Sequence, residues 1–485
     1  MEDLVNLTKI IIAVFDGLQP SQINSLDTPN LFNLSGEGSF FENHHPVFPS
    51  VTRVNAASMV TGVNPGKHWL AGNTFVARDY DDSNVMPALN DQLSKIRNSG
   101  LDVLGVPTLQ EIISSKNMNY VAIGVGTSGN AYVHNPLADR YGGATIHPEF
   151  TIPSSLSGEL EDLFGTWPSE QLPNTPRYRK AVDIFTEYIL ETVNPEVGLI
   201  WSSEPDKSQH SFGVGSDEAK LALQEADYEF GKVIKYLNNS PKHQNFDLMI
   251  LSDHGYSTIS EVVDVESILK SSELESANEW LLAQNGGSVL FYLKNPDEVF
   301  LVSELIEWLS GQIWCGALCS SDRLGEIPGT ISSSLIMNEG KRSPDLIMSF
   351  NWDSSDNLHG YSGQVYSTGG SVGLGQHGSM SRHEMNNTLI CRGPSFLEGE
   401  KILSPTGNID ILPTILYILG QEIPDQVEGR ILEESFKGSD NEIISETEIY
   451  EASLSTEFGT YSQEITISAV GQSRYVDEGK SWLKK

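Results

Sequence analysis

Cysteine is scarce in this chain of 485 residues: Cys315, Cys319 and Cys391 are all it has. So sparse and odd a set excludes a disulfide framework and predicts a reducing, cytoplasmic compartment. Cys315 and Cys319 read as two semi-buried thiols in a turn rather than as a metal pair. Basic residues are few as well, 30 Lys and Arg against 65 Asp and Glu, for a formal net charge of −35. A chain without a basic track is not expected to bind long nucleic acid. The charge favours solubility, and bound cations would neutralise some of the acids. No apolar run approaches the roughly 18 residues of a membrane span. The first run, Lys9 to Phe15, is short and is followed at once by Asp16, so it reads as a core strand and not as a signal peptide. Internal repeats and low-complexity linkers are missing too. The length suffices for a large core or two to three domains; oligomeric state is not legible.

What is present is an alternation of short apolar runs and helical patterns. Ile10–Phe15, Tyr120–Val125, Val197–Trp201 and Leu248–Leu251 read as buried strands. Pro107–Lys116, Arg177–Glu191, Asp217–Leu237 and Asn408–Leu419 read as helices. This texture predicts an α/β fold, a central, mostly parallel sheet sandwiched by helices. It breaks over 265–375, where Ser288–Leu293, Leu346–Phe350 and Val365–Ser367 are separated by Gly, Ser, Asn and Asp clusters. That stretch is expected to be a smaller inserted β-rich subdomain, with 1–264 and 376–485 forming the core. The tail from Glu446 reads as a hairpin, Thr447–Leu454 with Glu464–Ala469, followed by Tyr475.

The chemistry lies at the ends of the strands. Asp16-Gly17 follows the first strand. Phe48-Pro49-Ser50-Val51-Thr52 reads as a tight turn that delivers a hydroxyl at the start of a helix. Ser203-Glu204-Pro205-Asp206 follows the strand ending at Trp201, with His210 four residues after Asp206. Asp253-His254-Gly255 follows Leu251, and Gly375-Gln376-His377-Gly378 opens the return to the core. Asp and His side chains at neighbouring strand ends suit a divalent metal. A helix-start hydroxyl beside them suits a metal-activated alkoxide attacking phosphorus. Each fragment alone is an ordinary turn or helix face; the set is specific.

The ordered series Asp16, Thr52, Asp206, His210, Asp253, His254 and His377 resembles the alkaline phosphatase superfamily, and most of all its type I phosphodiesterase/nucleotide pyrophosphatase branch, which is related to phosphonoacetate hydrolases. The matching segments run from Ile10 to Gly420. The resemblance implies an alkaline phosphatase-like core and two divalent metal ions, Zn by family expectation, with Mn or Fe not excluded by the residues. It implies one ion on Asp206, His210 and His377, and the other on Asp16, Asp253, His254 and the Thr52 oxygen. Thr52 becomes the nucleophile that forms a phospho-threonine intermediate. Asn73 is implied to hold an equatorial phosphate oxygen, and the Arg53 backbone N–H is a second candidate donor.

Other residues have plainer expectations. The Arg53 side chain touches a charged end of the substrate or pairs with an acid, and Asn55 caps the helix after Thr52. His68 is structural, while His44 and His45 are candidates for the site mouth. Arg382 and His383 belong to the substrate or to a surface loop. Gly124 to Gly129 fits G-x-G-x-x-G and raises a rival reading, an NAD(P)-binding oxidoreductase. With Asn135-Pro136 and no amphipathic stripe after it, the segment is expected to be a loop near the site mouth instead. A sulfatase lacks its modifiable context, because Arg53-Val54-Asn55 follows Thr52. Only Lys116 and Arg140 are basic between Leu101 and Thr175, which favours a diester or phosphonate over a dianionic monoester, and the paired lysines that phosphonoacetate hydrolases bring near here are missing. The chain is therefore expected to be a two-metal hydrolase of phosphodiesters or nucleotide pyrophosphates acting on a small molecule. A phosphonoacetate hydrolase or phosphomonoesterase on the same scaffold is the alternative, and a silent binding protein of the same fold is opposed by the intact ligand set.

Overall fold

The computed structural model describes residues 8–240, 242, 245–439 and 443–484. Strand Lys9–Phe15 lies in the middle of a ten-stranded sheet. It reads as an unbroken apolar run because both of its faces are covered. Ile11, Ala13 and Phe15 pack with Leu31, Tyr178 and Phe230 on one side. Ile10, Ile12 and Val14 pack with Ala57, Val60 and Leu412 on the other. Val197–Ser202 and Phe246–Leu251 flank it in parallel. Tyr120–Gly124 and Ala144–His147 continue the parallel side. Asn387–Arg392 runs antiparallel between Phe246–Leu251 and Ser39–His45, and Phe150–Ile152 closes the far edge antiparallel. The expected α/β sandwich is thus present, with a sheet that is mixed at its margins.

Register places the chemistry. Val14 pairs with Trp201 on one side and Leu251 on the other, so the three strands end level. Asp16 and Asp253 each follow that register by two residues and meet at the carboxyl edge of the sheet. Helix Asp206–Phe212 begins there as well, and helix Thr52–Thr61 brings its first residue to the same edge. The long helix Asp217–Asn239 is fixed at its start by the Ser216 hydroxyl, which accepts from the Ala219 N–H at 3.1 Å.

The stretch 265–375 contains a five-stranded sheet of Trp280–Gln284, Ser288–Leu293, Leu346–Phe350, Cys315–Ser320 and Ile331–Ser332. Helices Val265–Lys270 and Phe300–Ser310, which the sequence reading passed over, share its apolar core. Ser257–Val262, from before this stretch, pairs with Ser362–Ser367 inside it.

Three expectations need correction. The tail is a three-stranded meander, Glu446–Thr456, Gly459–Val470 and Ser473–Lys484, not a hairpin; the third strand is rich in charged and polar residues. It packs against the inserted sheet, where the Tyr461 hydroxyl donates to the Gly316 carbonyl at 2.6 Å, and against the core, where Tyr475 donates to Asp410 Oδ2 at 2.8 Å. Cys315 and Cys319 lie fully buried in a strand and not in a turn. Ser128–His134 is a helix rather than a loop. Six of its seven residues are buried, so it has no polar face whose contrast could have produced a stripe. Among the described residues no helix is long and apolar enough to cross a membrane.

Candidate metal centre and nucleophile

Thr52 is the first residue of its helix, is 6% exposed, and stands at the wall of a cleft of about 530 Å³. The turn before it is braced by Asn55, which accepts from the Val47 N–H at 2.7 Å and donates to the Val51 carbonyl at 3.1 Å. Asn55 therefore holds the turn and does not face the cleft. Asn408 links this brace to the metal edge, donating to Asn55 Oδ1 at 2.9 Å and to the Asp253 carbonyl at 2.8 Å.

Three imidazoles converge on the same point with their orientations fixed. His210 Nδ1–H donates to the Gly375 carbonyl at 3.0 Å, His254 Nδ1–H to the Gly255 carbonyl at 3.0 Å, and His377 Nδ1–H to the Ser50 carbonyl at 2.8 Å. A carbonyl only accepts, so each ring carries its proton on Nδ1 and presents Nε2 to the centre. His254 and His377 stack, with centroids 3.6 Å apart and planes 12° from parallel. The Thr52 hydroxyl is 3.2 Å from His254 Nε2.

Carboxylates surround these nitrogens. His210 Nε2 lies 3.3 Å and His377 Nε2 3.6 Å from Asp206 Oδ1. His254 Nε2 lies 3.6 Å from Asp16 Oδ1 and 3.2 Å from Asp253 Oδ2. The outer oxygens of two of them are held, Trp201 Nε1 donating to Asp16 Oδ2 at 2.9 Å and the Gly17 N–H to Asp253 Oδ1 at 3.0 Å, while the Tyr256 hydroxyl donates at 2.8 Å to Asp206 Oδ1, the oxygen that the imidazoles face. Asp16 Oδ1 and Asp253 Oδ2 are buried and have no hydrogen-bond partner.

Electrostatics follow from this crowding. Burial, then the Asp253 and Asp206 charges, push the Asp16 carboxyl well above the ordinary range. Burial also raises Asp253. Asp206 goes the other way: burial opposes its charge, but His210, His377 and His254 hold it below the usual carboxylate range. Burial and the neighbouring His254 push His377 well below the ordinary imidazole value. A neutral His377 facing the Asp206 carboxylate sets two acceptors against each other, and the two orphaned oxygens repeat the conflict. A cation resolves it, and the donor set of imidazole nitrogens and carboxylates fits a borderline divalent metal. Asp206, His254 and His377 form one group of close ligand atoms, and Asp16, Asp253 and His254 another. His254 belongs to both, whereas His210, 3.3 Å from Asp206 Oδ1, lies outside both groups.

Asn73 lines the cleft, but the Arg53 backbone N–H is not free for a ligand: it donates to Asn73 Oδ1 at 3.1 Å. That bond turns the Asn73 amide so that its Nδ2 group is left for the cleft. The Arg53 guanidinium donates from Nη1 to the Asn73 carbonyl at 3.0 Å and from Nε to Thr127 Oγ1 at 3.3 Å. Burial lowers its pKa to about 10 against the pull of Asp16 and Asp206, so it stays charged at neutral pH.

His44, His45, His68 and His383 lie elsewhere. His44 bonds to Thr406 and Asn408, His45 to Asp477, and His68 to Ser58, all in buried structural roles. His383 faces Ser354 and the Trp352 ring, and Arg382 pairs with Glu478. Thr127 brings the Gly124–Gly129 segment to the cleft. The sequence reading missed Trp201, Tyr256, Glu170 and Lys207. Trp201 and Tyr256 each sit within a few residues of a ligand, which is the one signal that could have found them.

Fold and site together define an alkaline phosphatase-like α/β protein with a threonine at a metal-ligand cluster. The chain belongs to the type I phosphodiesterase/nucleotide pyrophosphatase family, whose pattern matches residues 10–367. Bovine (Bos taurus) bis(5'-adenosyl)-triphosphatase ENPP4 is 24% identical over 429 residues, 85% of this chain and 78% of that one. An uncharacterised pyrophosphatase/phosphodiesterase of Schizosaccharomyces pombe is 22% identical over 303 residues, 62% of this chain and 54% of that one. Murine ectonucleotide pyrophosphatase/phosphodiesterase 5 superposes with a TM-score of 0.62 at 15% identity, over 86% of this chain and 96% of that one; its inactive variant in complex with AMP gives 0.61. At such identity the likeness establishes the fold.

Proposed function

We propose that the chain is a divalent-metal hydrolase of phosphodiesters and nucleotide pyrophosphates that acts through a phospho-threonine on Thr52. Asp206, His210 and His377 would hold one ion, and Asp16, Asp253, His254 and the Thr52 oxygen the other, with Zn the best match to the donors. The ions would lower the pKa of the threonine hydroxyl and offset the charge on the leaving oxygen. Thr52 Oγ1 attacks phosphorus in line, the Oγ–P bond forms, and the bond to the leaving oxygen breaks. Water then hydrolyses the phospho-threonine and restores the hydroxyl. Asn73 Nδ2 donates to an equatorial oxygen, its amide held by the Arg53 backbone N–H and its main-chain carbonyl by the Arg53 guanidinium.

The observation that carries this reading is the Thr52 hydroxyl at a helix start, 3.2 Å from His254 Nε2, among carboxylate oxygens that no protein group satisfies. The names of the ENPP relatives point to nucleotide substrates. A division of the chain into 1–264 with 376–485 against an inserted 265–375 belongs to the same proposal, the insert shaping access. The cytoplasmic placement rests on three free, buried thiols alone, and the ectoenzyme names of relatives speak against it.

The test is a paired rate assay of zinc-loaded protein on bis-p-nitrophenyl phosphate and p-nitrophenyl phosphate. The diester should be cleaved faster, and Thr52→Ala should abolish cleavage while metal stays bound. Faster monoester cleavage, or near-normal turnover by Thr52→Ala, would overturn the reading.

A further inference from the structure

One charged pair in the cleft has no part in the chemistry above. Lys207 follows Asp206 on the helix Asp206–Phe212 and lines the cleft together with Glu170. Its ammonium pairs with one Glu170 oxygen, and Arg177 Nη1 donates to the other at 3.2 Å. The Lys207 hydrogen bond, more than any other influence, holds the Glu170 carboxyl below the ordinary glutamate range. The Glu170 side chain is 50% exposed, and that of Lys207 18%. A pair this exposed contributes little to stability. It lies inside the cleft, beside a carboxylate proposed as a metal ligand. No Phe, Tyr or Trp is among the residues lining the cleft, so the wall at Lys207 offers a ligand charge rather than a stacking platform.

We infer that Lys207, with Glu170 as its displaceable internal counter-ion, is a specificity-determining cation for leaving groups that carry further phosphate charge. The inference rests on the hydrolase reading of the site. Lys207 shares its helix with Asp206 and His210, which on the hydrolase reading would hold the ion beside the leaving oxygen. Arg53 and Asn73 are tied instead to the helix start that presents Thr52. The Lys207 charge therefore acts on the departing group. With a nucleoside triphosphate, the bond from Thr52 Oγ1 to the α-phosphorus forms and the bond from that phosphorus to the bridging oxygen breaks. Pyrophosphate leaves with the electron pair. Lys207 exchanges Glu170 for an oxygen of that chain, while Glu170 keeps its bond from Arg177. Without such a substrate, Glu170, shared with Arg177, engages the Lys207 ammonium, and a singly charged diester offers no further oxygen to displace it.

Two substrates with the same transferred nucleotide isolate the effect: thymidine 5'-triphosphate and the p-nitrophenyl ester of thymidine 5'-phosphate. The readout is the ratio of their kcat/KM values on the zinc-loaded full chain. Lys207→Gln should lower the ratio about tenfold, the usual effect of losing a hydrogen bond between charged groups. Lys207→Arg should retain it. Glu170→Gln should raise it, because the cation loses its competitor. Both residues are partly exposed, so folding is not at stake. If Lys207→Gln and Glu170→Gln move the ratio in the same direction, or leave it unmoved, the pair is a surface ion pair and the inference falls alone. If the unaltered protein cleaves neither substrate through Thr52, the hydrolase reading falls and this inference with it.

Discussion

Tyr256→Phe removes one oxygen atom from the site and little else. The Tyr256 ring is fully buried, closely applied to Gly17 and Gly375, and phenylalanine would keep that packing. Its hydroxyl donates to Asp206 Oδ1 at 2.8 Å, the same oxygen that His210 and His377 face. Asp206 is ionised at neutral pH, because its neighbours, His210 foremost, outweigh its burial. A hydrogen bond to an ionised group contributes about 1.5–3 kcal/mol, which is roughly 10- to 100-fold in a binding constant. Removing the partner that orients a metal ligand characteristically weakens affinity by about 10- to 100-fold, so two separate estimates agree. A zinc competition titration against a chromogenic chelator would resolve both sites in the parent and the variant. Only the site containing Asp206 should weaken; the Asp16, Asp253 and His254 site should not move. Unchanged zinc affinity at both sites would refute the reasoning. Tighter binding would do so as well, since it would mean that the hydroxyl competes with the cation for Asp206 Oδ1.

The other two predictions concern stability. Burial pushes the His68 imidazole down to about 3, so the folded state holds it neutral. The unfolded chain takes up its proton near pH 6.5, so this residue's contribution is present above about 6.5 and is lost as pH falls toward the folded value. His68→Gln should flatten the acid limb of a urea-unfolding series by about 1.4 kcal/mol per pH unit, one proton's worth, whatever it does to stability at pH 7.5; parallel curves for parent and variant would refute this. Exhaustive chelation should lower the thermal midpoint, and zinc should restore it in proportion to the logarithm of its concentration, by about 2.7 kcal/mol at a hundredfold excess over Kd. A midpoint indifferent to zinc would sink the metal assignment.

How much of this was legible before the structure depended on how local the signal was. The four central strands showed because burial on both faces leaves an unbroken apolar run, and Asp16 and Asp253 showed because chemistry in such sheets collects at the carboxyl ends. The helix Ser128–His134 did not, because a segment buried all round has no periodicity. The last tail strand did not, because it is as polar as a loop. Lys207 and Glu170 are separated by a strand and two helices, and no spacing rule joins them. The Arg53 N–H looked available for phosphate because a helix start normally offers it; that Asn73 takes it is a fact of tertiary structure.

The strongest argument for cations comes from how the chain treats its other buried acids. Asp345 is fully buried and receives Arg78 and Arg323. Asp410 is satisfied by Tyr475 and by the backbone N–H groups of Gly407 and Arg430. Asp16 and Asp253 are treated differently. Arg53, the buried base whose charge acts on Asp16 and Asp206, directs its guanidinium to Thr127 and Asn73, and Lys207 directs its ammonium to Glu170. One oxygen of each carboxylate is left without a hydrogen-bond partner, facing His254 Nε2 and the other carboxylate. The contrast with Asp345 and Asp410, each fully supplied by protein donors, supports the proposal that metal would occupy the positions beside Asp16 Oδ1 and Asp253 Oδ2.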